Sequence, residues 1–171
     1  MGKTILITGG ARSGKSRLAE AQTLAFGRPA TYIATAGIFD AEMADRIRQH
    51  QDGRGPDWAL VEEQTDLARA LRDTDGSGPR LVDCLTLWLS NLMLGDHDIP
   101  AATQAFLAEL ARQRDPVVIV TNEVGAGIVP ENALARAFRD EAGRLNQRVA
   151  AVVDEVHMAV CGLPLKVKPH D

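Results

Sequence analysis

Eight residues near the start of the chain, Gly9-Gly10-Ala11-Arg12-Ser13-Gly14-Lys15-Ser16, carry the spacing GxxxxGK[ST]. That spacing suits phosphate chemistry. A polyphosphate needs many donors at short range, and only a loop without bulky side chains lets backbone N–H groups wrap it. Gly9 and Gly14 supply the backbone freedom. The loop opens into a helix, whose N-terminal partial positive charge suits an anion. In this reading Lys15 reaches the β- and γ-phosphates, and the Ser16 hydroxyl faces a Mg²⁺ ion. Arg12 has two readings, a further phosphate contact or a side chain turned to solvent. A turn that matches by chance is the competing reading of the whole motif. The strand before it and the helix after it count against chance.

A magnesium site beside bound phosphates asks for a carboxylate at the end of a neighbouring strand. Asp83, in Leu81-Val82-Asp83-Cys84, has that position. Its alternative is a cap for the helix that follows. His50 shares a predicted helix face with Met43 and Ile47 and stands just before a glycine-bearing turn. It is either a structural histidine satisfied by its neighbours or a nucleophile, since a neutral imidazole nitrogen can attack phosphorus and form a phosphoramidate. His97, His157 and His170 carry less: a polar turn, a strand position and a tail. Cys84 and Cys161 each lie in an apolar run, which predicts two buried free thiols, with no disulfide framework and no metal spacing.

These residues need elements to hold them, and strand and helix patterns alternate along the chain. Strands are expected at Thr4–Thr8, Ala30–Ala34, Trp58–Glu62, Arg80–Thr86 and Pro116–Thr121, with a terminal hairpin from Val156–Cys161 and Leu165–Lys168. Helices are expected at Gly14–Phe26, Asp40–Gln51, Thr65–Arg72, Leu85–Gly95, Ala101–Arg114 and Ala133–Val153. Asp73–Pro79 reads as a flexible turn too short to link domains. Asn122–Asn132, with two glycines and a proline, reads as a functional loop for substrate or subunit contact, or else as a structural turn. Alternation with continuously apolar strands implies an α/β fold, a mostly parallel sheet covered on both faces. Ligands of such sheets sit at the carboxyl ends of the strands, where the phosphate loop and Asp83 fall.

The chain has 171 residues, enough for one domain over residues 1–171, and 45% of them are apolar, enough to fill a core. Its formal net charge of −4 argues against a broad nucleic-acid binder. The longest apolar runs, such as Leu85–Leu94, are too short to span a bilayer, and no secretory signal fits before the first strand. A cytoplasmic protein is the expectation.

Three segments, GGARSGKSRLAEA, YIATAGIFDAEMADRIRQHQDGR and VTNEVGAGIVPENALARAFRDEAGRLNQRVA, occur in that order. Together they resemble the bifunctional adenosylcobinamide kinase/adenosylcobinamide-phosphate guanylyltransferase family of cobalamin biosynthesis, over essentially the whole chain. The phosphate loop alone is unspecific; the histidine segment and the NEVGAGIVPEN loop are much more specific. The resemblance implies a three-layer, RecA-like P-loop NTPase fold and a homotrimer. It implies phosphorylation of the adenosylcobinamide aminopropanol hydroxyl with ATP or GTP. It then implies transfer of GMP from GTP through a guanylylated histidine, which corresponds to His50. It carries nucleotide-binding roles onto Gly9–Ser16, Ala34-Thr35-Ala36, Gln51-Asp52-Gly53-Arg54, Glu62 and Asp83. The chain departs from a member of that family at two places. Asp83 stands where that member has glutamate, and Gln49-His50 where it has two adjacent histidines. Two other readings stay open from the residues alone, a generic small-molecule kinase and a nucleotide-dependent switch.

Overall fold

The computed structural model describes residues 1–37 and 55–169; the helix expected at Asp40–Gln51, with His50 and Gln51–Arg54, lies outside them. Seven strands form one sheet, β1 (Thr4–Thr8), β2 (Ala30–Ala34), β3 (Trp58–Glu62), β4 (Arg80–Asp83), β5 (Val117–Val120), β6 (Glu155–Val160) and β7 (Leu163–Lys168). The spatial order is β3-β2-β4-β5-β1-β6-β7. All neighbours are parallel except β6 and β7, the antiparallel hairpin expected at the C-terminus. Helices α1 (Lys15–Phe26), α2 (Leu67–Thr74), α3 (Leu85–Leu94), α4 (Ile99–Leu110) and α5 (Ala133–Val152) connect them.

The strand sequences explain the layering. Side chains alternate between faces along a strand, so TILIT and VVIV each feed two cores. Leu6, Ile33, Val82 and Ile119 face a cluster built with α2, α3, α4 and α5, where Trp88 and Phe106 are fully buried. Ile5, Ile7, Leu81 and Val118 face a second cluster with Ala19 of α1. The central strands are therefore buried on both faces and mostly apolar, while edge strand β7 is exposed along most of its length.

Helix starts follow local chemistry. Asp66, Asp98 and Asn132 cap α2, α4 and α5 by accepting from the amides of Arg69 (3.0 Å), Ala101 (2.9 Å) and Leu134 (2.8 Å). Lys168 closes the other end of α5, donating to the carbonyls of Ala150 (2.9 Å) and Val153 (2.6 Å). Helix α1 opens on Gly14 with no side-chain cap. Expected boundaries shift by a few residues: the β4 pattern stops at Asp83 because Leu85 already begins α3.

Two expectations are corrected. Of the expected flexible turn Asp73–Pro79, Asp73 and Thr74 close α2 and the remainder is a bonded turn. The Asp115 carboxylate accepts from the amides of Gly76 (2.8 Å) and Gly78 (3.0 Å). Arg80, fully buried, donates to Thr74 O (3.0 Å), Asp75 Oδ1 (3.1 Å) and Gln113 Oε1 (2.6 Å). Polar sequence there reflects an internal network rather than solvation. Cys161 is exposed, and only Cys84 is buried. Cys161 sits at φ 51 in the β6–β7 turn, where its nearest apolar neighbours, Val160 and Leu163, are themselves exposed.

Candidate active site at the carboxyl ends of the strands

Strand β1 ends beside β5, and the chain turns through Gly9–Ser16 into α1. Two glycines are required by space. A Cβ on Gly9 would lie 2.6 Å from Ser13 Oγ and 3.0 Å from Ala159 O. Gly14 has φ 88, and a Cβ there would lie 2.9 Å from the Cα of Gly162. Gly10 has no such neighbour. Ala11 and Arg12 are exposed, with Arg12 at φ 53, so that side chain stands at the solvent rim. Lys15 is buried, and its Nζ donates across the loop to Gly10 O at 2.9 Å. Ser13 Oγ is buried without a hydrogen-bond partner among the described residues. The amides of the first turn of α1 have no intrahelical partner, and no side chain caps them. The result is a set of first-turn amide donors, one ammonium group and the Ser16 hydroxyl at a helix N-terminus, while the Ser13 amide is already bonded to Gly10 O at 3.3 Å.

The neighbouring strand ends lie level with this loop. Register pairs Ala34 with both Glu62 and Asp83, Asp83 with Val120, and Val120 with Ile7. Asp83 stands two strands from β1, about 9.6 Å at ~4.8 Å per strand. It does not cap α3; Cys84 holds that position. One Asp83 oxygen accepts from the Tyr32 hydroxyl, which leaves the other for a ligand. Glu62 is exposed at the end of β3. Ala34 is buried, and Ala36 lies just beyond it, half-buried.

Thr35 is the most constrained of these residues. It is fully buried. Its hydroxyl donates to Cys84 O (2.7 Å) and accepts from Cys84 N (2.8 Å). Its amide donates to Asp83 O (3.0 Å), and its carbonyl accepts from Asn91 Nδ2 (2.8 Å). The hydroxyl and amide of Thr35 thus fasten the end of β2 to the end of β4, and its carbonyl is held by α3, which together set the position of Asp83. Burial, and then the nearby Asp83 charge, push the Cys84 thiol up to about 11. That thiol is a packed neutral group, not a nucleophile.

Sequence reasoning missed Tyr32, Asn91 and Thr86. Thr86 Oγ1 accepts from Asn122 N at 2.8 Å, and Glu123 N donates to Gly9 O at 3.0 Å, so the loop after β5 is pinned to both the α3 start and the phosphate loop. Tyr32 carried one available signal: it is the single tyrosine, two residues before a strand end. The others depend on long-range packing.

The helix-covered parallel sheet, with an uncapped helix following GxxxxGK[ST] and an acidic strand end beside it, defines a P-loop nucleotide-binding enzyme. The chain belongs to the cobinamide kinase / cobinamide phosphate guanyltransferase family, whose sequence model matches residues 5–167. It is 46% identical over 180 residues to the bifunctional adenosylcobalamin biosynthesis protein CobU of Escherichia coli (strain K12), covering 96% of this chain and 99% of that protein. It is 44% identical over 166 residues to the bifunctional adenosylcobalamin biosynthesis protein CobP of Pseudomonas aeruginosa, covering 95% and 96%. CobU of Salmonella typhimurium is also 44% identical, over 180 residues. Among the described residues no helix is long and apolar enough to cross a membrane.

Proposed function

We propose that this chain performs both reactions of its family: phosphorylation of adenosylcobinamide by ATP or GTP, then transfer of GMP from GTP to give adenosyl-GDP-cobinamide. The observation that carries the reading is the uncapped start of α1 behind the Gly9–Ser16 loop, level with Asp83 at the carboxyl edge of the sheet.

In the kinase step the substrate hydroxyl attacks the γ-phosphorus and the nucleoside diphosphate leaves. The amides of the loop and the Lys15 ammonium hold the phosphate oxygens as charge develops on them. Lys15 exchanges its Gly10 carbonyl partner for phosphate oxygens. Ser16 and Asp83 offer a hydroxyl and a free carboxylate oxygen, the hard donors that Mg²⁺ takes alongside phosphates. Magnesium held there would supply positive charge to offset that of the phosphate oxygens.

In the guanylyl step the neutral imidazole of His50 attacks the α-phosphorus of GTP. An N–P bond forms, the α–β P–O bond breaks, and pyrophosphate leaves with that electron pair. The cobinamide phosphate then displaces the imidazole, releasing His50 unchanged. Ala34, Thr35, Ala36, Gln51, Asp52, Gly53, Arg54, Glu62 and Asp83 form the nucleotide's surroundings in this reading. The enzyme acts in the cytoplasm as a homotrimer, with no nucleic-acid partner.

The test is incubation with α-labelled GTP. An acid-labile, base-stable label on the protein that maps to His50 is expected. His50→Ala is expected to lose the label and guanylylation while keeping most kinase activity. Equal loss of both activities in a folded His50→Ala protein, or kinase turnover with no label on the unchanged chain, would overturn the transferase half.

A further inference from the structure

The phosphate loop does not stand alone on β1. The two-residue turn of the β6–β7 hairpin, Cys161-Gly162, is packed directly against it. Gly162 N donates to Ser13 O at 2.8 Å. The Cα of Gly162 fills the space where a Gly14 side chain would begin, 2.9 Å from that ideal Cβ. Further down β6, Ala159 O lies 3.0 Å from the corresponding point on Gly9. The hairpin therefore meets the loop at its first glycine, at its penultimate peptide and at the glycine that opens α1.

We propose that the β6–β7 turn is a clasp that sets the phosphate loop in its binding shape, with Gly162 as the positioning residue. Ser13 O is the carbonyl of the peptide whose amide belongs to Gly14. Fixing that carbonyl outward on Gly162 aims the Gly14 N–H toward the loop's interior, because C=O and N–H of a trans peptide point in opposite directions. Gly162 has φ 80 and Cys161 φ 51, the two left-handed residues of a tight hairpin turn. That turn geometry is what lets the Gly162 N–H face outward from the hairpin. A Cβ on Gly162 would meet only the end of the Arg17 side chain, at 3.5 Å, so the left-handed φ is what favours glycine here, while the close approach itself needs glycine at position 14. The inference rests on reading residues 9–16 as a phosphate cradle, and it assigns part of the cradle's shape to the far end of the chain.

Gly162→Ala tests it, with Val156→Ala as the comparison. Val156 is buried at the opposite end of the same strand pair, opposite Lys168, so its truncation weakens the hairpin without touching the turn. The readouts are melting temperature, Kd for Mg·ATP and Mg·GTP by calorimetry, and KM against kcat for the kinase step. Alanine keeps the N–H but is strained at φ 80, so the turn is expected to relax and carry that N–H off Ser13 O; loss of that one bond would raise the nucleotide Kd about tenfold, with KM rising in step. Val156→Ala is expected to melt earlier with its Kd unchanged. Gly162→Asn, which keeps the N–H and tolerates left-handed backbone better, is expected to bind as the unchanged protein does; if Gly162→Ala does not fold, a weakened Kd in folded Gly162→Asn overturns the proposal. Wild-type Kd in folded Gly162→Ala also overturns it. So does a Kd that weakens in both variants in proportion to lost stability. If the unchanged protein binds neither nucleotide, the cradle reading itself falls, and the clasp falls with it.

Discussion

Thr35→Val isolates the fastening of β2 to β4. Valine matches threonine in shape and removes only the hydroxyl. That hydroxyl makes two buried bonds to the Cys84 peptide, 2.7 and 2.8 Å long. The Cys84 carbonyl keeps a partner in Trp88 N at 3.1 Å, but the Cys84 N–H is left buried and unpaired. An orphaned donor costs about 1–3 kcal/mol and the second bond about 1 more, so a loss of ~2–4 kcal/mol is expected. For a chain of 171 residues that corresponds to a melting temperature lower by about 5–12 °C. Because the same peptide follows Asp83, kinase activity should also fall, and Thr35→Ser should restore most of both. Differential scanning calorimetry and a coupled kinase assay read the two effects. A Thr35→Val protein that melts as the unchanged chain does, yet has lost nucleotide affinity, would refute the fastening role and make the hydroxyl a direct ligand.

Lys15→Met keeps the buried stem and removes the ammonium. Its fold contact is the bond to Gly10 O, so the melting temperature should change by no more than about 2 °C while phosphoryl transfer falls about 100-fold or more, read by calorimetry and turnover. At the other edge of the sheet, burial pushes the Asp75 carboxyl up. Bonds from the Arg114 side chain, the Asp115 and Arg114 amides and Arg80 outweigh that and hold it at about 2. A carboxyl depressed from 3.8 in the fold stabilises above its ordinary value and loses that contribution as pH falls from about 5 to about 2. Asp75→Asn should cost ~3 kcal/mol at pH 7, the low end for a broken buried pair, because Asp115 remains 4.0 Å from the Arg80 guanidinium. Urea unfolding at pH 7 and near pH 2 checks this: the gap between the two proteins should narrow in acid.

The phosphate loop was legible because its requirements are local. Glycine spacing, a lysine and a hydroxyl within eight residues are set by the ligand's own dimensions, and the flanking strand and helix follow from short-range patterns. The strands of the central sheet were legible for a similar reason, since burial on both faces leaves them mostly apolar. Asp83 was found by its place at a strand end; that Cys84 and not Asp83 precedes α3, and that Tyr32 bonds to Asp83, only the structure showed. Thr35 carried a nucleotide-binding role by resemblance, and the fold uses all of its polar groups for fastening. Asp73–Pro79 looked loose because glycine and aspartate are common in solvated turns. Its order comes from Asp115 and the buried Arg80.

The sequence by itself determined the GxxxxGK[ST] loop between a strand and a helix, the alternation that makes an α/β sheet, and the family, since each is written in neighbouring residues or in motifs met in order. Only the tertiary structure decided the strand order that sets β4 and β5 beside β1. It alone decided the fastening of Thr35 to Cys84, and the contact of Gly162 with a loop some 150 residues earlier. Such pairings are chosen by the burial of whole faces and by the meeting of backbones far apart in the chain, and no local pattern of side chains records them.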